Sequence, residues 1–146
     1  MAYVHATSWQ ETYAGLLDKS VIEDFNELKR RNMWSSFLKN ESNLQKAYVA
    51  LMSDKIIGIA SWRESNDQFE LLTLYVLKEF QGLGIGKKLF KQIEKDTTKK
   101  GKHLMVWVLE NNKSTAFYEK MGLLLNKVEK KNLGGSIVLE SMFRSR

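Results

Sequence analysis

The chain has 146 residues, 43% of them apolar and 27% charged, the balance of one compact, soluble globular domain spanning 1–146, and no apolar run reaches the roughly 18 residues of a membrane span. It contains no cysteine, which excludes disulfides, thiolate zinc sites and an acyl-cysteine intermediate. The net charge of +6 favours anionic partners without choosing among nucleic acid, membrane surface and phosphorylated ligand.

Met1–Gln10 carries no basic segment leading into an apolar core and a cleavage site, so a cytoplasmic address is expected. Trp9, Thr12, Tyr13, Leu16 and Leu17 recur at helical spacing. Ser20 and Glu23 have the spacing of a capping box, and Val21, Ile22, Phe25 and Leu28 continue an apolar face that predicts one helix through Trp34 to Leu38. Strands are predicted at Ala47–Met52, Ile56–Trp62 and Phe69–Leu77, the first two joined by a turn at Ser53-Asp54-Lys55 and the last two by polar Glu64–Gln68. Gly84–Lys100 reads as a helix with Ile85, Leu89, Phe90 and Ile93 on one side. A strand at His103–Leu109, a short helix at Ser114–Met121, and strands at Leu123–Val128 and Ile137–Phe143 follow. Helices alternating with strands in this order predict a mixed α/β (α+β) fold, a sheet with helices packed on it.

The sharpest feature is Gln81-Gly82-Leu83-Gly84-Ile85-Gly86-Lys87. It follows an apolar strand and opens an amphipathic helix. Free N–H groups at a helix start, with the helix dipole behind them, bind anions, and a phosphate is the natural occupant. A Walker A loop needs one more residue before Gly86-Lys87 and a Ser or Thr after it. A dinucleotide fingerprint needs G-x-G-x-x-G in a first βαβ unit, and the spacing here is G-x-G-x-G. The pattern Q/R-x-x-G-x-G/A fits Gln81, Gly84 and Gly86. The alternative, a glycine-rich turn without a ligand, would lower stability to no purpose.

Leu72-Thr73-Leu74-Tyr75-Val76 followed by this loop resembles the signature of GNAT N-acetyltransferases. A second block, Asn111 to Gly122, is similar to the family's N-x-x-A-x-x-F-Y-x-x-x-G, with Asn111, Phe117, Tyr118 and Gly122 matching and Ser114 in place of Ala. Ser8 to Gly15 is a weaker echo of the first helix of bacterial members. The resemblance implies a mixed, mostly antiparallel sheet splayed between the family's strands 4 and 5, here the strands ending at Val76 and near Leu109. It implies acetyl-CoA as co-substrate: the pantetheine arm along Leu74, Tyr75 and Val76, and the pyrophosphate on Gln81, Gly82, Leu83, Gly84, Ile85, Gly86 and Lys87. Lys87, Lys88 and Lys91 are placed for the phosphates, and Asn111 and Ser114 near the arm. Tyr75 is also read as a pocket wall. Family members begin with a strand that this chain lacks or has shortened, which exposes a sheet edge and suggests a homodimer.

Transfer to an amine needs a neutral amine, a donor for the carbonyl oxygen and a proton for the thiolate. By resemblance Tyr118 is the general acid, the N–H near Val76 the oxyanion donor and Glu70 a candidate base, with a water chain as alternative. His103 is read as a surface residue, and His5 is not favoured as a substrate-side group. Trp9, Tyr13, Trp34 and the stretch Gly134–Phe143 are expected to build the acceptor pocket for an amine left unidentified. No metal, nucleic-acid or membrane partner is expected, since no recognition helix or RNA-binding aromatic motif is present. A CoA-binding regulatory module without catalysis is the alternative reading.

Overall fold

The computed structural model describes residues 1–146. Helices α1 (Ala2–Tyr13), α2 (Lys19–Asp24) and α3 (Glu27–Lys39) precede strands β1 (Gln45–Met52), β2 (Lys55–Ser65) and β3 (Gln68–Val76). A 3-10 turn at Lys78–Phe80 leads to α4 (Ile85–Thr98), β4 (His103–Leu109), α5 (Thr115–Lys120), β5 (Leu124–Leu133) and β6 (Ser136–Arg144). No helix is long and apolar enough to cross a membrane.

The first helical region departs from expectation. The single helix expected from Ser20 to Leu38 is broken, because Phe25 (ψ 63) and Asn26 (ψ 168) leave helical geometry. The Asn26 side chain then caps α3 by accepting from the Lys29 N–H at 3.0 Å, a local bond that competes with helix continuation. Ser20 is not a cap. Asp18 precedes α2, and its carboxylate accepts from the Ser136 hydroxyl instead, tying α2 to β6. Leu16 and Leu17 lie past the end of α1.

The six-stranded sheet has the order β1-β2-β3-β4-β6-β5 and is antiparallel except for β3 against β4. Ser53 and Asp54 both take positive φ (48° and 63°) in the β1–β2 turn, the geometry that matches the twist of a two-residue hairpin. The decisive irregularity is on β3. Ser61 pairs with Thr73 and Trp62 with Leu71, so Leu72 is an extra residue on β3. A bulge bends its strand and increases its twist. At the same place the β3–β4 ladder stops, with Leu71↔Val106 its last pair. Beyond it β3 runs on to Val76 and β4 to Leu109, and the sheet splays.

The core lies between the sheet and α4, with Phe69, Phe90, Ile93, Val106, Tyr118 and Phe143 among its buried members. Leu89, Phe90 and Ile93 are buried on α4 as the spacing predicts, while Ile85 is only half-buried. A second cluster joins Val4 of α1, Trp34 of α3, Ile59 and Leu77, and fastens the helical segment to the other face.

His5 is not peripheral. It is 5% exposed and packed among the rings of Phe25, Trp34 and Tyr75. Burial, with the charges of Arg30 and the N-terminus, pushes its pKa down to about 3. Below pH 6.5 the unfolded chain takes up a proton that the folded chain refuses, so stability is full above that pH and falls as pH drops toward 3. The slope is about 1.4 kcal/mol per pH unit, or about 2 kcal/mol lost at pH 5. Urea denaturation at pH 7, 6 and 5 checks this. A His5→Phe variant that keeps the same slope would assign the effect elsewhere.

Candidate active site

The splay opens a narrow inner cleft of about 150 Å³ between β3 and β4, lined by Leu74, Tyr75, Val76, Gln81, Ser114 and Tyr118 among others. A larger outer cavity of about 860 Å³ lies beside it, walled by α1, α2, α3, β5 and β6. Tyr13, Leu71, Leu72, Tyr75 and Trp107 line both. They form the partition where the two spaces meet.

The glycine loop stands at one end of the inner cleft. The Gln81 side-chain amide donates to the Val76 carbonyl at 2.9 Å and pins the loop to the end of β3. Gly82 and Gly84 both have φ 79°, and Gly84 is the N-cap of α4 with no side chain satisfying the first helical N–H groups. Those N–H groups, from Ile85 onward, have no acceptor within the helix. Lys87 and Lys88 are exposed and without carboxylate partners, while Lys91 is paired with Glu94 at 2.6 Å.

Tyr118 has its ring packed edge-on against Phe117, near Phe90. Its hydroxyl has no protein partner and the residue lines the inner cleft. Burial, then the charge of the neighbouring Tyr13, raises its pKa well above an ordinary phenol. Tyr75 is raised likewise, by burial first and then by Tyr13 and Tyr118. The Tyr13 hydroxyl accepts from the Asn112 side chain at 3.1 Å, and burial outweighs that bond to raise its pKa too. Three tyrosines that stay protonated at neutral pH therefore face the junction.

Glu70 does not line the inner cleft. It lies on the outer cavity, one residue before the last β3–β4 pair, with its carboxylate on Arg63 at 2.9 Å. Tyr118 and Glu70 are thus on opposite sides of the shared partition.

Asn111 is exposed and lines neither cavity. Its φ of 65° makes it the turn residue after β4. Its neighbour Asn112 faces the cleft, bonding Tyr13 and accepting from the Ser114 N–H at 2.9 Å. Of the expected acceptor-pocket residues, Trp9, Tyr13, Gly134 and Glu140 line the outer cavity. Trp34 is buried against Phe37 and His5 and does not. Ser8 is a cleft residue that no sequence motif marks as such. It is 3% exposed, it lines the inner cleft, and its hydroxyl has no partner. Nothing in the helical spacing of Trp9, Thr12 and Tyr13 tells which further residue of α1 faces the splay. No group of three or more His, Asp or Glu side chains could hold a metal ion.

A family model described as an acetyltransferase (GNAT) domain matches residues 10–136. Spermidine N(1)-acetyltransferase of Thermoplasma acidophilum is 29% identical over 143 residues, covering 94% of this chain and 86% of that protein. The crystal structure of PaiA N-acetyltransferase from Thermoplasma acidophilum in complex with coenzyme A matches with a TM-score of 0.75 and 29% identity, over 95% of this chain and 88% of that one. A GCN5-related N-acetyltransferase from Rhodopseudomonas palustris shares the fold at a TM-score of 0.74 and 19% identity, over 99% and 86% of the two chains.

Proposed function

The chain belongs to the GNAT acetyltransferase family, and on that premise we propose that it moves the acetyl group of acetyl-CoA to a primary amine of a small molecule or peptide by direct attack on the thioester. The observation that carries this reading is the freed edge of β3. Beyond Leu71 its backbone faces an open cleft instead of β4. Unpaired strand N–H and C=O groups are a template for an extended chain bearing amides, and at the far end stand the N–H groups of α4 for a pyrophosphate.

In this arrangement the bound thioester supplies an activated acetyl group. The backbone around Leu74 to Val76 holds the pantetheine amides, and the N–H near Val76 donates to the carbonyl oxygen as charge builds on it. The amine approaches from the outer cavity past Tyr13 and Tyr75. As its nitrogen bonds to the acetyl carbon and the carbon–sulfur bond breaks, its proton leaves toward Glu70, directly or through water. Tyr118 donates to the departing sulfur. Asn112 holds Tyr13 in the partition.

Thermal melting with acetyl-CoA, CoA, NAD and ATP tests the premise. A ligand at about 100 times its Kd stabilises by about 2.7 kcal/mol, a shift of about 5–10 °C for a chain of this size. A shift with both CoA forms and none with NAD or ATP is expected; no shift with either CoA form sinks the reading. A polyamine acceptor, as in the name of the Thermoplasma relative, is a second reading, favoured by the carboxylates Asp24, Glu70, Glu129 and Glu140 on the outer cavity.

The homodimer belongs to the same proposal. The sheet's β5 edge carries Lys127, Lys130 and Lys131, a charge pattern that discourages pairing. The β1 edge instead exposes Val49, Leu51 and Met52 and pairs only with β2. Light scattering at micromolar concentration is expected to give twice the chain mass; a monomer alone would rule the dimer out.

A further inference from the structure

The charges of the outer cavity do not balance as the count of its carboxylates suggests. Each of the four already has a cation of its own. Asp24 is bound by Lys29, Glu70 by Arg63 at 2.9 Å, Glu129 by Lys127 at 2.5 Å, and Glu140 by Lys131 at 3.2 Å. The group left over is positive. Arg30, on α3, lines the cavity and forms an ion pair with no carboxylate. Its guanidinium carbon lies 3.9 Å from the centroid of the Phe25 ring. Its Nε is buried without a partner, and its Nη1 finds only the sulfur of Met33 at 3.5 Å. Lys130 also lines the cavity without an ion-pair partner.

A half-buried guanidinium without its hydrogen bonds is costly to keep. Stacking on an aromatic face fixes its plane, so little freedom remains to be lost when an oxyanion arrives. Guanidinium recognises carboxylate and phosphate through paired N–H donors. Trp9, Phe25 and Trp107 give the cavity apolar walls, beside which an ion pair is screened less than in open solvent. A polyamine, by contrast, would bring further positive charge toward Arg30 and would have to compete with the cation already paired to each carboxylate.

We infer that Arg30 is the anchor for an anionic group on the acceptor, so that the acceptor is an aminocarboxylate, an amino acid or a short peptide, with its carboxylate on Arg30 and its amine at the Tyr13–Tyr75 partition. This rests on the acetyltransferase reading above and narrows it. The partition lines both cavities, so an amine held there from the outer side meets the end of the inner cleft. Phosphate-bearing amines share the chemistry and form a separate arm of the test.

The experiment is release of the CoA thiol from acetyl-CoA with a panel of the common amino acids, their carboxamides, aminoalkyl phosphates and spermidine. CoA binding is followed in parallel by thermal melting. The expected result is that the best acceptor carries a carboxylate and that its carboxamide is about 10- to 100-fold poorer in kcat/KM. Arg30→Gln removes that difference through the acceptor KM, Arg30→Lys restores part of it, and the KM for acetyl-CoA is unchanged in both. Preference for an aminoalkyl phosphate would reassign the anion and overturn the carboxylate. Preference for spermidine, or no turnover of any aminocarboxylate by protein that binds CoA, overturns the inference while leaving the family reading in place. Failure to bind CoA is the separate failure of that reading.

Discussion

Tyr118→Phe is expected to lower kcat by about 10²- to 10³-fold while the KM for acetyl-CoA moves by less than about threefold. The substitution keeps the ring, and the ring holds this part of the core: it packs on Phe117 with centroids 5.3 Å apart and near Phe90 at 6.4 Å. Only the hydroxyl is lost, and no protein group depends on it. The variant should therefore fold and bind CoA as the parent does, and the loss falls on the step in which charge moves to sulfur. The raised pKa of Tyr118, caused by burial and then by Tyr13, has a consequence of known sign. The group must be protonated to donate, and its deprotonation lies above the ordinary phenol value near 10. The rate should show no alkaline fall attributable to this tyrosine up to about pH 10. Steady-state kinetics and a pH–rate profile check both parts. A variant within threefold of the parent in kcat would remove Tyr118 from the chemistry.

The second large effect concerns the loop. Replacing Gly82 and Gly84 together by alanine is expected to weaken CoA about 10²-fold. Each sits at φ 79°, where a Cβ costs roughly 1–2 kcal/mol. Nothing lies within 4 Å of a Cβ built at either position, so the cost is in the backbone and not in a clash. The loop can escape it by changing shape, and the changed shape no longer aims the first N–H groups of α4 at the pyrophosphate. Gly86→Ala is the internal control. A Cβ there would meet Phe117 and Val76 at 3.8–3.9 Å, ordinary contact, and alanine favours the helix by about 1 kcal/mol over glycine. That variant should melt higher and bind CoA nearly as the parent does. Calorimetric titration with CoA separates the cases, and equal affinity in the double variant would mean the loop is not the phosphate site.

The strand-to-helix glycine loop, the Phe117-Tyr118 pair and the order of elements from β1 onward were readable in the residues. These are local properties: apolar periodicity, turn chemistry and helix-start chemistry act within a few positions of the chain. The expected hairpin at Ser53-Asp54 and the buried face of α4 stand for the same reason. Where a local rule had two solutions, the reading failed. The capping pattern at Ser20 predicts the start of one long helix, whereas α2 starts after Asp18 and the Asn26 side chain starts a separate α3. Asn111 and Asn112 are adjacent amides, and the positive φ that the turn requires of the first turned the second toward Tyr13.

The amino-acid sequence by itself determined the family, the glycine loop and the Phe117-Tyr118 pair. Tertiary structure alone decided the splay, because the bulge at Leu72 is a matter of register between β2 and β3 and register depends on both strands together. It decided the junction as well. Ser8, Tyr13 and Arg30, which line the two cavities, come from helices far from the motifs in sequence, and which faces they present follows from how α1 and α3 pack over the sheet. Ion pairs between distant elements decided which charges in the outer cavity remain free.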